Sequence, residues 1–374
     1  MKRLLTILTA AVLGTAAFAQ TQTIYQFTPI RDIPVTPVKD QANTGTCWCF
    51  ATVSFLEAEL LRQGKGEYDL SEMFVVRGNY NDRLFDNYLR QGNGNINPGS
   101  IAHMATNAIA KYGIVPESVY DGINYDSDKH NHGELSSYLK AIAGVAVERK
   151  NLSPEYHKLI KSLFDIYLGE IPESFEYEGK TYTPQSFAKM LGLDDMGDYI
   201  ELTSFSHHPF YQQVPLEIPD NWDHALLWNV PLDDFMAIMD NALRKGYTVA
   251  WDGDLKVGEF QHNRGIAICP KPEDFTEAVK LEKVYPDREV TQEMRQADFE
   301  HFQTVDDHLM HLTGLFQDQN GNLFYKTKNS WGEGRNEELK GYLFMSHAYV
   351  QMRCISIMVH KDAIPKDIRK KLGL

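Results

Sequence analysis

The run Gln41-Ala42-Asn43-Thr44-Gly45-Thr46-Cys47-Trp48-Cys49-Phe50-Ala51 decides how the chain is read. A helical pattern follows Cys47 at once, with Phe50, Val53, Phe55, Leu56, Leu60 and Leu61 as its apolar positions. Their spacing predicts a helix with Cys47 at or near its N-terminus. The thiolate is the nucleophilic form of cysteine, and unpaired backbone N–H groups at a helix start, or a neighbouring imidazolium, favour it. Gly45 is expected to let the backbone turn sharply into the helix. Gln41 is placed to offer a side-chain N–H to an oxyanion, beside the backbone N–H of Cys47. Two other readings compete: a buried core cysteine, and a redox or metal pair with Cys49. Positions two apart on a helix point about 200° apart, and no second cysteine pair stands nearby to complete a zinc site.

A cysteine nucleophile needs a base, and 13 histidines compete for that role. His308 lies in Asp307-His308-Leu309-Met310-His311-Leu312-Thr313-Gly314, which has strand character. His311 is the rival, and residues three apart on a strand face opposite ways, so only one of them can meet Cys47. Gln319-Asn320-Gly321-Asn322 reads as a hairpin turn, and the return strand 323–328 delivers Asn329-Ser330-Trp331-Gly332. Such a hairpin can set Asn329 beside His308, where the amide oxygen holds the imidazole in one orientation. Trp331 is expected to shield that bond from water.

Composition narrows the class. The 374 residues, 43% hydrophobic and 11% aromatic, suffice for one large domain or two lobes with a real core. A net charge of −14, with no basic tail or stripe, argues against nucleic acid as a partner. At the start, Lys2 and Arg3 precede an apolar run, 4–16, that is too short to span a bilayer. Ala17-Phe18-Ala19 follows as a small-x-small cleavage site. Residues 1–19 therefore read as an export signal, with Gln20 as the mature start and a periplasmic or secreted address, most simply bacterial. No other segment looks membrane-spanning. Cys47, Cys49, Cys269 and Cys354 are the only cysteines; with Cys47 free, at most one disulfide can form, and sequence does not choose the pair.

Elsewhere, residues 69–72 (Asp-Leu-Ser-Glu) look like a helix start, and Ser100 is expected to open a helix that Gly113 caps. The Gly/Asn-rich segment 92–99 reads as a turn, or as backbone that bonds an extended substrate. His130 and His132 read as part of a solvated loop rather than a metal site. Ser153-Pro154 and Thr183-Pro184 read as N-caps followed by a first-turn proline, with a Glu178-Gly179 hairpin turn between them. Residues 231–245 read as an amphipathic helix and 247–251 as a strand.

Together these segments resemble the papain superfamily of cysteine peptidases, and within it the bleomycin hydrolase / aminopeptidase C branch. The resemblance rests on the Cys47, His308 and Asn329 segments, joined by 70–74, 111–120, 229–235 and 249–254. It implies an α+β, papain-like fold of two lobes, one helical and carrying Cys47, the other an antiparallel barrel-like lobe carrying His308 and Asn329. It also implies one catalytic domain over 20–374, with a helical insertion at about 122–203. The implied roles are Cys47 as nucleophile, His308 as base and then acid, Asn329 as orienter and Gln41 as oxyanion donor. The implied reaction is hydrolysis of peptide substrates through a thioester, with no cofactor or metal and with homo-oligomers, hexameric among relatives. Thr44 stands where cathepsin-like enzymes carry a disulfide cysteine, and the segment 20–46 is too short for an inhibitory propeptide. In relatives a C-terminal tail enters the cleft and restricts cleavage to N-termini. This chain stops soon after the last matching segment, so an open-cleft endopeptidase or dipeptide-releasing peptidase is the alternative expectation. A non-catalytic peptide-binding module is a third.

Overall fold

The computed structural model describes residues 19–20 and 24–374; the export-signal reading falls almost wholly on residues 1–18, outside the described residues. Three helices build the first lobe: α1 (Cys47–Arg62), α2 (Glu72–Leu89) and α3 (Ala102–Tyr112). Helix α1 is buried on every side from Cys47 to Leu60, which marks it as the central element rather than a surface helix. Its buried Glu57 is satisfied by the Leu70 N–H, the Thr36 hydroxyl and the Lys39 ammonium. Ser71 caps α2 by accepting from the Phe74 N–H, as the sequence suggests. Ile101, not Ser100, is the N-cap of α3, because the Ser100 hydroxyl is taken up by Asn79 and the indole N–H of Trp222.

The second lobe is one twelve-stranded mixed sheet. Its relevant strands are β1 (Gln26–Asp32), β2 (Tyr199–Thr203), β3 (Val249–Gly253), β4 (His308–Gln317), β5 (Leu323–Lys328), β6 (Tyr342–Ser346) and β7 (Cys354–His360). They lie in the order β2-β7-β3-β4-β5-β6, with β1 also on β4, and all of these pairings are antiparallel. Two peripheral pairings are parallel, so the sheet is not wholly antiparallel as expected.

Strand β4 reads as an almost continuous apolar run because both of its faces are covered. Leu309 belongs with Ala250 and Met358 to the core shared with α1. Met310 and Leu312 belong to the core of the sheet lobe, which the helix Leu232–Arg244 also fills. The face carrying Leu309, Ala250 and Met358 is thus the one turned toward the helical lobe.

The middle of the chain extends the helical lobe. Gly133–Arg149, Pro154–Leu168 and Pro184–Leu191 are helices, and Leu135, Ile160 and Phe187 join the same core as Trp48. Ser153 and Thr183 are N-caps, each with a proline in the first turn. Glu178 and Gly179, both at positive φ, turn the hairpin Phe175–Tyr177/Lys180–Tyr182. The expected helical insertion over 122–203 does not run to its far end, since 199–203 is β2 of the large sheet. No helix among the described residues is long and apolar enough to cross a membrane. All four cysteines are free.

Candidate active site

Cys47 is the first residue of α1, so its backbone N–H has no acceptor inside the helix. The turn into the helix differs in detail from expectation. Ala42, at φ 47°, takes the strained conformation. Gly45 is required for a different reason: a Cβ there would lie 2.8 Å from Cγ of Pro98. Pro98 belongs to the Gly/Asn-rich segment, and its carbonyl accepts from Trp48 Nε1 at 3.0 Å. This segment is therefore a wall built against the loop and first turn around Cys47. Burial pushes the Cys47 thiol up to about 12, opposed by the Leu309 N–H beside Sγ. The Asp306, Asp252 and Asp220 carboxylates push it up further.

Strand β4 opens with His308, whose Nε2 lies 2.8 Å from Asn329 Oδ1. The same Oδ1 accepts from the Ser330 backbone N–H at 2.7 Å, which fixes that atom as oxygen. An amide oxygen only accepts, so His308 Nε2 carries the hydrogen and neutral Nδ1 carries the lone pair. The Trp331 ring lies over the imidazole, with ring centres 4.9 Å apart. Burial lowers the His308 pKa, while the Asn329 bond and the nearby Asp307 raise it.

The glutamine is locked from the other lobe. Its backbone N–H donates to the Ser330 carbonyl at 2.8 Å, and Oε1 accepts from the Ser330 hydroxyl at 2.6 Å. Nε2 donates one hydrogen to the Thr44 carbonyl at 2.8 Å. Its second N–H remains for a ligand. Gln41 is thus tied to Ser330, His308 to Asn329, and Cys47 to the Leu309 N–H next to His308, where α1, its preceding loop and the β4–β5 hairpin converge.

The rival His311 is fully buried one turn away along the sheet. Its Nδ1 lies 2.9 Å from the Ser54 hydroxyl, which itself accepts from Lys328 Nζ at 2.7 Å. The Ser54 proton therefore points at His311, and the imidazole is a neutral core group under α1. Burial and the Lys328 ammonium hold its pKa well below the ordinary value.

A family model, described as the Peptidase C1-like family, matches residues 75–373. The chain belongs to the Peptidase C1-like family. Aminopeptidase G of Lactobacillus delbrueckii subsp. lactis is 24% identical over 392 residues, spanning 91% of this chain and 85% of that protein. The mitochondrial cysteine proteinase 1 of Saccharomyces cerevisiae is 21% identical, spanning 90% and 77%. The crystal structure of PepW from Lactobacillus rhamnosis superposes with a TM-score of 0.71 at 21% identity, covering 92% of this chain and 84% of that one. The fold is accordingly papain-like, and the chain is a C1-type cysteine peptidase of the aminopeptidase C / bleomycin hydrolase kind.

Several residues around this C1 site carry no signal in the sequence. His262 sits behind Asn329, whose Nδ2 lies 3.3 Å from His262 Nδ1, and its ring packs edge-on to Trp331. Burial lowers its pKa to about 4, so it stays neutral. Ser330 lies inside a motif that the sequence does single out, but its clamp on Gln41 spans 289 positions. The His130–His132 segment is not solvated. Both rings are buried, His132 bonds the Tyr80 hydroxyl at 3.1 Å, and burial lowers its pKa to about 3. Backbone bonds join this segment to Asn43 and so brace the loop before Cys47.

Proposed function

We propose that this C1 peptidase cleaves peptide bonds through a thioester on Cys47, with His308, Asn329 and Gln41 as its other working groups. The observation that carries the reading is the bond from His308 Nε2–H to Asn329 Oδ1. It leaves Nδ1 as the basic nitrogen on the residue that adjoins Leu309, whose N–H faces Sγ. The thiol is pushed up and the imidazole down, so the resting pair is uncharged. Attack of Sγ on the scissile carbonyl carbon then coincides with transfer of its proton to Nδ1. The carbonyl oxygen becomes an oxyanion that accepts from the Cys47 N–H and the free Gln41 Nε2–H. His308 returns the proton to the leaving amine, and the C–N bond breaks. Water then attacks the thioester carbonyl carbon as it gives a proton to His308; the C–S bond breaks, His308 returns that proton to sulfur, and the acid and free thiol are released.

The pH profile follows from the base. His308 must be neutral, and its pKa lies below the ordinary 6.5. The acid limb of kcat/KM is therefore expected below pH 6.5. Asn329→Ala removes an interaction that raises this pKa, so the limb is expected to move further toward acid. A limb above pH 7 in the wild type contradicts the assignment.

The finer reading is an exported aminopeptidase. The relatives named aminopeptidases support the exopeptidase part, and the 1–19 sequence pattern supports export. One peptide offered free and N-acetylated, with Cys47→Ala as blank, tests the first. Stepwise loss of N-terminal residues from the free form alone is expected. Internal cuts in both forms indicate an endopeptidase. N-terminal sequencing of the exported protein is expected to begin at Gln20.

A further inference from the structure

Carboxyl groups gather beside Cys47 that the cleavage chemistry does not use. Asp252 lies directly across from Leu309 in the β3–β4 ladder and across from Ser356 in the β3–β7 ladder. Residues paired across antiparallel strands share a face, so Asp252 is turned, like Leu309, toward the helical lobe and the nucleophile. Asp252 is 1% exposed. Its Oδ2 accepts weakly from the Ser356 hydroxyl at 3.3 Å, and no N–H or hydroxyl donor reaches Oδ1. Asp306, two residues before His308, is in hydrogen-bond contact with Asp252, carboxyl to carboxyl. Asp220 approaches from the facing loop, where a Cβ on Gly99 would strike its Oδ2 at 1.9 Å. Behind them Glu201 keeps a second buried oxygen, Oε1, without a donor.

Nearby cations do not account for this. The buried Arg83 acts on Asp220 through space, and donates only its Nε–H, to the Asn95 carbonyl. His103 spends its two nitrogens on Glu201 at 2.6 Å and Asp223 at 3.0 Å. Among the described residues neither makes a hydrogen bond or ion pair with Asp252 or Asp306. Two touching carboxyls, the fully buried Asp252 and the half-buried Asp306, resist being ionised together without a cation between them. Asp306 is accordingly pushed up to about 8, burial being the largest cause. Asp306 also lines a cavity of about 540 Å³ between 217–219 and 299–306, whose walls include neither Asp252, Asp220 nor Cys47, so from that side the pair is reached at Asp306.

We propose that Asp252, Asp306 and Asp220 form a receptor for a substrate ammonium group on the Leu309 side of Cys47. An ammonium brings three donors and a full charge. It can replace the proton held between Asp252 and Asp306 and give each carboxylate a charge-assisted bond. The shared chemistry admits two sources: the α-ammonium of a peptide N-terminus, or the side-chain ammonium of a lysine just before the cleaved bond. Because these carboxylates also hold the Cys47 thiol up, a bound cation favours the thiolate at the moment a matching substrate arrives. The inference rests on the proposed role of Cys47, but it can be tested without turnover.

The test is binding to Cys47→Ala, read by calorimetry, of three forms of one lysine-containing peptide: unmodified, N-acetylated, and acetylated on the lysine alone. The unmodified form is expected to bind at least tenfold tighter than one of the acetylated forms, and the form that loses affinity identifies the source. Asp252→Asn or Asp306→Asn in the same background is expected to erase the difference. Equal affinity of all three forms, or no binding by any of them, overturns the proposal. As a second readout, iodoacetamide is expected to alkylate Cys47 several-fold faster at pH 7 in the double variant Asp252→Asn/Asp306→Asn, which removes the single charge that the proton-sharing pair carries. An unchanged rate in a double variant that melts like wild type contradicts the electrostatic part. Failure of the peptidase reading looks different: no turnover by wild type, with the ammonium preference of Cys47→Ala intact.

Discussion

His308→Ala is expected to lower kcat/KM on the order of 10⁴-fold, as loss of one member of a catalytic triad does. The protein should stay folded, although the buried ring leaves its place against Trp331, because the one side-chain hydrogen bond lost is that to Asn329. His311→Ala is expected to do the reverse. It empties a fully buried site under α1 and strips Ser54 of its acceptor, at a cost of about 2–4 kcal/mol. Turnover per folded molecule should stay within a few-fold of wild type. Steady-state kinetics and thermal melts of both variants settle the pair. A His311 variant as inactive as the His308 variant, at temperatures where both are folded, contradicts the assignment.

Gln41→Ala carries the second large effect. Loss of one preorganised oxyanion donor costs roughly 10²–10³-fold in kcat, with little change in KM. Ser330→Ala removes only the hydroxyl that locks Gln41 Oε1, leaving the donor present but less well aimed. A smaller loss, about tenfold, is expected, and it should vanish in the Gln41→Ala background. Additive losses in the double variant would mean that Ser330 acts by another route. This comparison separates an oxyanion role from a structural one, because a folding defect would add in both backgrounds.

How much of this was legible in the sequence follows from where each signal lies. Gln41 and Cys47 are close in the chain, and so are the two ends of the β4–β5 hairpin, so their pairing is a local matter of turn chemistry and period. The helix starts at Ser71, Ser153 and Thr183 were legible for the same reason. The layered, all-round burial of α1 was less so, since Glu57 and Glu59 look like surface residues until Thr36, Lys39, Leu70 and Arg62 are seen to satisfy them. The burial of His130 and His132 depends on a loop-to-loop pairing with Asn43 that no periodicity encodes. Asp252 follows the segment 247–251 read as a strand, and nothing in the sequence marks Asp306. Only the register that sets Leu309 against Asp252 brings Asp252 to Cys47, and with it Asp306. His262 had no signal of its own, because its role exists only through Asn329.

Every step of the proposed cleavage needs Cys47 as the nucleophile, and covalent trapping shows whether it is. The wild-type protein would be treated with a peptidyl fluoromethyl ketone under reducing conditions and the adduct mapped by peptide mass spectrometry. One adduct per chain on Cys47 is expected, forming in step with the loss of activity, while buried Cys49, Cys269 and Cys354 stay unlabelled. Labelling at another cysteine that abolishes activity, or full activity with Cys47 modified, would contradict it.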